Sequence, residues 1–242
     1  MTTTTKKQNT DPDSLDSLLE ELEFKTPSEE ISNERRILIG EFLKTERKLR
    51  HDHKIQRLLN ACGIRPNQIR TFEGFDWAFN SKISKNDILA FRNADWIGSA
   101  QNIVFIGDPG LGKTHIAKAL CYDAMMKGES AYFISAFDLI GRIKKSRHPE
   151  TKVNHYGSNI KVLCIDELGY TQQNKEAGDL LFQIIAKRNE NLPTIITTNL
   201  APKHWGSIFT GPAASAILDR LSHNGKFVTV EGPSYRTRKR VK

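Results

Sequence analysis

The 242-residue sequence predicts an α/β fold, with a parallel sheet flanked by helices and a small helical domain ahead of it. Three observations predict it. Short runs of apolar and β-branched residues recur at 103–106, 131–135, 162–167 and 193–200. Between them lie segments whose apolar residues return every three or four positions, the spacing of a helix with one buried face. The runs at 103–106, 162–167 and 193–200 lead into a glycine loop, two acids and a polar Thr-Asn pair, which gathers chemistry at the sheet edge where ligands bind.

Residues 1–28 form an acidic tail. Up to residue 34 there are nine acids against three lysines. Such a composition is expected to stay unstructured, although leucines at 15, 18, 19 and 22 have the spacing of a short amphipathic helix. Residues 29–80 are expected as a basic helical domain. Its apolar stripe is Leu38, Phe42, Leu49, Ile55, Leu58 and Leu59, and residues 35–70 carry ten Lys or Arg against three acids. Arg47, Lys48, Arg50 and Lys54 on this helix are candidate contacts to a polyanion. The aromatics Phe72, Phe75, Trp77 and Phe79 read as core packing at a domain junction, and residues 87–98 as a further helix.

Residues 81–234 are expected as the α/β domain. Its first strand leads into Gly107, Asp108, Pro109, Gly110, Leu111, Gly112, Lys113, Thr114 and His115, which contain the pattern G-x-x-x-x-G-K-[ST]. Glycines let the backbone point several N–H groups at an anion, and the next helix adds its positive N-terminal end. The pattern therefore predicts a nucleoside triphosphate, with Lys113 on its β and γ phosphates and Thr114 on a Mg²⁺ ion. Ile116, Leu120 and Ala124 give the buried face of the following helix.

Next come a strand at 131–135 and a helix at 136–147, with Phe137, Ile140 and Ile143 expected inside and Arg142, Lys144, Lys145 and Arg147 outside. The chain is expected to loosen through 148–159. The run at 162–167 ends in Asp166 and Glu167, which suit a metal water shell and the polarisation of an attacking water. A helix at 175–189, the strand at 193–200 with Asn199 at its end, a helix at 213–222 carrying Arg220 and a strand at 226–231 follow. Residues 235–242 are a basic C-terminal tail.

The whole chain has formal net charge +8 and mean hydropathy -0.48. No apolar run approaches the roughly 20 residues that span a bilayer, and the N-terminus lacks the apolar core of a signal peptide. The sequence predicts a cytoplasmic protein with no membrane partner. A basic chain outside its acidic tail points to nucleic acid. Cys62, Cys121 and Cys164 are widely spaced and read as buried free thiols.

The segments GDPGLGKTH, LCIDELGY, DLLFQII, IITTNL, AILDRLSHNG and EGPSYR, in this order, resemble the IstB family of AAA+ ATPases, which assist insertion-sequence transposases and are related to helicase loaders of the DnaC type. The resemblance covers roughly residues 35–238. It implies Walker A at Gly107 to Thr114, Walker B at Asp166 and Glu167, sensor 1 at Asn199, an arginine finger at Arg220 and a sensor 2 at Arg236. It also implies ATP and Mg²⁺, ATP held between subunits of a homo-oligomer, double-stranded DNA, and an integrase-type transposase as partner. A loader of replicative helicases acting on single-stranded DNA is the alternative it leaves open. The helix at 136–147 matches the one that faces nucleic acid in this clade, making Arg142, Lys144, Lys145 and Arg147 backbone-contact candidates. The acidic tail lies outside the resemblance.

Overall fold

The computed structural model describes residues 11–79, 83–93, 95–170, 175–207, 209 and 212–238. The chain divides into two compact units, Met1–Gln56 and Arg57–Lys242. The break therefore falls well before the expected boundary at residue 80.

In the smaller unit, α1 (Leu15–Glu21) packs against the long helix α2 (Asn33–Ala61), whose last turn belongs to the larger unit. Ser14 caps α1 by accepting a hydrogen bond from the Ser17 N–H, 3.2 Å away. Leu18, Leu19 and Leu22 bury against Leu43, with Leu15, Ile31 and Ile39 at the margin. Residues 11–28, expected as part of an unstructured acidic tail, are thus ordered. Their leucine stripe finds an apolar partner and two of their acids, Asp13 and Glu21, meet Arg47, long-range pairings that composition does not reveal. The expected stripe on α2 is also corrected. Leu38, Phe42 and Leu49 are 69%, 62% and 48% exposed, because α1 covers the side of α2 on which Leu43 lies.

The larger unit holds five strands: β1 (Asn102–Ile106), β2 (Ala131–Ser135), β3 (Val162–Asp166), β4 (Thr194–Thr198) and β5 (Gly225–Thr229). They pair in parallel in the order β2-β3-β4-β1-β5. Helices α3 (Lys85–Asn93) and α4 (Lys113–Met126) contribute to the core on one face. Helices α5 (Ala136–Lys144), α6 (Pro149–Asn154), α7 (Lys175–Arg188) and α8 (Ala213–His223) contribute to the other. A short α9 (Tyr235–Arg238) follows β5. Ile103 and Phe105 face the first core while Val104 and Ile106 face the second, so β1 is a continuous apolar run rather than an alternating one.

Cys62, Ile64 and Phe72 belong to the core of this unit, with Phe75 and Trp77 packed against it. The Cys62 carbonyl accepts from the Phe133 N–H at 2.8 Å, so the chain after α2 runs along β2. All three cysteines are buried free thiols.

Two local expectations change. Helix α5 ends at Lys144, three residues early, and turns Leu139 inward while Phe137 is 59% exposed. The stretch expected to be loose is helical: Pro149 starts α6 with its fixed φ, and a π-turn follows at His155–Asn159. Buried Arg188 supports that turn, donating to the carbonyls of Tyr156 and Ile160 at 2.9 and 2.8 Å. Among the described residues, no helix is long and apolar enough to cross a membrane.

Candidate nucleotide site

At the C-terminal ends of β1, β3 and β4 a cavity of about 480 Å³ opens, lined by the glycine loop, Glu167, Thr197, Thr198, Asn199 and Arg236. The loop needs its glycines for space as well as conformation. Gly107 has φ +152, and a Cβ there would stand 2.1 Å from the Val230 carbonyl oxygen. Gly112 has φ +90, and a Cβ would lie 2.6 Å from the Phe75 ring.

Helix α4 starts at Lys113, so its unpaired N–H groups face the cavity. The Lys113 ammonium donates to the carbonyls of Gly107 and Asp108 at 2.6 and 2.8 Å. Burial lowers its pKa, opposed by the nearby charges of Asp166 and Asp108.

Thr114 Oγ1 donates toward Asp166 at 3.0 Å to Oδ1 and 3.3 Å to Oδ2. Asp166 ends β3 and is 6% exposed. Glu167 follows in a left-handed conformation, φ 57, which costs a non-glycine residue about 1 kcal/mol and turns the chain at the strand end. Asn199 follows β4, and its side-chain oxygen is buried with no hydrogen-bond partner. Gly169 makes room for it, since a Cβ there would stand 2.1 Å from that oxygen. The donor set fits a metal-bound triphosphate: a hydroxyl and a carboxylate side by side supply hard oxygen ligands next to a loop of backbone N–H groups.

The other end of the cavity is aromatic. Phe75, Phe79, Ile83 and Tyr235 line it. Phe79 meets Tyr235 edge to face at 4.9 Å, and Phe75 meets His115 at 5.1 Å. His115 Nε2 donates to the Thr71 carbonyl at 2.9 Å, and burial lowers its pKa, keeping it neutral. Sequence reasoning placed Phe75 and Phe79 in a core; Phe75 packs there and also borders the cavity, and Phe79 lines it. Arg70 and Lys118, also missed, line it too, Lys118 lying 4.7 Å from the Phe133 ring centre. No spacing rule connects residues 70–79 to a loop that begins at Gly107, so only the cluster of aromatics was a signal.

Arg220 does not line the cavity. It lies over the Phe182 ring at 4.5 Å and donates to the Ala216 carbonyl at 3.1 Å. The basic candidates divide. Arg142 donates to the Tyr132 hydroxyl at 2.6 Å and Lys144 pairs with Glu176 at 2.6 Å, while Lys145 and Arg147 are exposed. On α2, Arg47 pairs with Asp13 at 2.6 Å and Glu21 at 3.7 Å. Arg50 pairs with Glu46 at 2.7 Å and reaches the Leu22 carbonyl at 3.3 Å; Lys48 and Lys54 are exposed.

The family model of the IstB-like ATP binding protein matches residues 5–242. The ATP-binding protein of insertion sequence IS232 from Bacillus thuringiensis subsp. berliner is 40% identical over 166 residues, 67% of this chain and 66% of that protein. The replicative helicase loader DnaC of Escherichia coli K12 is 27% identical over 192 residues, 76% of this chain and 77% of the loader. The crystal structure of DnaI superposes with a TM-score of 0.60 at 20% identity, covering 72% of this chain and 95% of DnaI. The alignment thus spans about two thirds of the insertion-sequence relative. With a glycine loop, paired acids and a parallel sheet of the AAA+ ATPase type, the chain belongs to the IstB-like ATP-binding protein family.

Proposed function

We propose that the protein is a Mg²⁺-dependent ATPase that assembles on double-stranded DNA in the cytoplasm and assists an integrase-type transposase. The observation that carries the catalytic reading is the meeting of Thr114, Asp166 and Glu167 beside one phosphate loop, at a cavity that Asn199 also lines. Lys113 and the loop N–H groups hold the β and γ phosphates. Thr114 and Asp166 hold Mg²⁺, which when bound neutralises charge on those phosphates. Glu167 orients and polarises the attacking water, Asn199 hydrogen-bonds the γ-phosphate or that water, and the aromatic end takes the base. Arg236 serves its own subunit's nucleotide. Arg220, off its own cavity, serves a neighbour's, so ATP lies between subunits of a homo-oligomer. Lys145 and Arg147, with Arg142 and Lys144, meet DNA phosphates, and Arg47, Lys48, Arg50 and Lys54 add a second basic stretch; such contacts carry little sequence preference.

The insertion-sequence relative supports the transposition role, and likeness to DnaC supports a second reading as a helicase loader on single-stranded DNA. Assembly on a 50 to 60 base-pair duplex against a matched single strand separates the two. Glu167→Gln is expected to keep ATP binding, lower hydrolysis by about a hundredfold or more, and prolong the complex on duplex in ATP. Hydrolysis at the wild-type rate in that variant overturns the role of Glu167.

A further inference from the structure

Of the buried hydroxyls that the mechanism above leaves unused, that of Thr197 meets both acids. Thr197, on β4, is 1% exposed, and its Oγ1 donates to Asp166 Oδ1 at 2.5 Å while accepting from the Glu167 N–H at 3.0 Å. A threonine hydroxyl has one hydrogen to give, and here it is directed at a carboxylate. The sheet register explains the meeting: Ile165 pairs with Ile196, and Asp166 and Thr197 follow them on adjacent strands.

We infer that Thr197 is a positioning residue for both acids. Through its donated bond to Oδ1 it fixes the rotation of the Asp166 carboxylate, and so holds both of its oxygens where Thr114 meets them. Through its accepted bond it holds the backbone at the start of Glu167, the residue in the left-handed conformation, and so sets the origin of the side chain that handles the water. Asn199 follows two residues later in the same segment. One short segment thereby positions the metal ligand, the water-activating acid and the phosphate-reading amide.

This inference rests on the ATPase reading, which wild-type turnover dependent on Mg²⁺ and on Glu167 tests separately. Thr197→Val keeps shape and removes both bonds; Thr197→Ser keeps both bonds and removes a methyl. For Thr197→Val we expect kcat to fall at least tenfold with KM for ATP changed less than threefold. We also expect the Mg²⁺ concentration that half-saturates binding of a fluorescent ATP analogue to rise at least threefold. Thr197→Ser is expected within threefold of wild type in both. Equal losses in the two variants would mean a packing role only, and a valine variant within twofold of wild type in turnover and Mg²⁺ dependence would remove the proposal. Should Thr197→Val not fold, Thr197→Ala against Thr197→Ser decides on the same criteria.

Discussion

Arg188 in the larger unit and Arg47 in the smaller one use the same side chain in opposite ways. Arg188 is 1% exposed and all five of its N–H groups are used, on Thr194 Oγ1 and on the carbonyls of Tyr156, Ile160, Lys161 and Pro193. Burial pushes its pKa down to about 9, which leaves it charged at neutral pH. Arg47 stands near the surface between Asp13 and Glu21, and the hydrogen bond to Arg47 is what lowers the Asp13 pKa most. A guanidinium satisfied by fixed carbonyls belongs to the structure. One held by exposed carboxylates at the surface is exchangeable, and a polyanion can compete for it. Counting basic residues therefore overstates the charge ready for DNA.

The largest effect expected from this contrast is on stability. Arg188→Met strands five buried acceptors and should cost about 3–5 kcal/mol in chemical denaturation, whereas Arg47→Ala should move Tm by less than about 2 °C. Equal losses would erase the distinction. Next in size is DNA binding. Lys145→Ala with Arg147→Ala should weaken duplex binding about tenfold near 0.1 M salt and flatten the slope of log K against log salt by about 2. Arg47→Ala with Arg50→Ala should do less, because Asp13, Glu21 and Glu46 already occupy those groups. Titrations at several salt concentrations measure both.

The smallest effect concerns pH. Burial depresses His115 below its ordinary 6.5, so below that value the unfolded chain binds a proton that the folded chain does not. Stability should fall as pH drops from 6.5 toward the lower folded value and level off beneath it. His115→Gln should lose less stability than wild type between pH 7.5 and 5 in melts at matched ionic strength; identical losses would show that His115 titrates alike in both states.

How much of this was legible in the sequence follows from the range of the interactions. The loop from Gly107 to Thr114 is local: strand, glycines and helix are contiguous, so pattern and geometry coincide. Asp166 and Asn199 were readable because each ends an apolar run. Thr197 was not, since a threonine inside a strand is ordinary until the neighbouring strand brings an acid to it. The leucines of α1 showed their spacing, but their partner Leu43 lies over twenty positions away. Phe137 and Leu139 were exchanged because a nine-residue helix allows more than one inward phase.

Under the proposed role of Arg220, its place away from its own cavity gives the subunit polarity. The segment that follows Asn199 runs through Trp205, whose indole donates to the Leu200 carbonyl at 3.1 Å, and leads to α8, so the residue that reads one nucleotide and the arginine that completes another lie at the two ends of one stretch. Subunits arranged head to tail meet one nucleotide and one arginine at each interface and leave both surfaces free at the tips, whereas a two-fold dimer meets two of each at its single interface and leaves nothing to extend. Growth along DNA then has a leading subunit with an unmet cavity and a trailing one with an unused arginine, which gives a filament or an unclosed ring two chemically distinct tips.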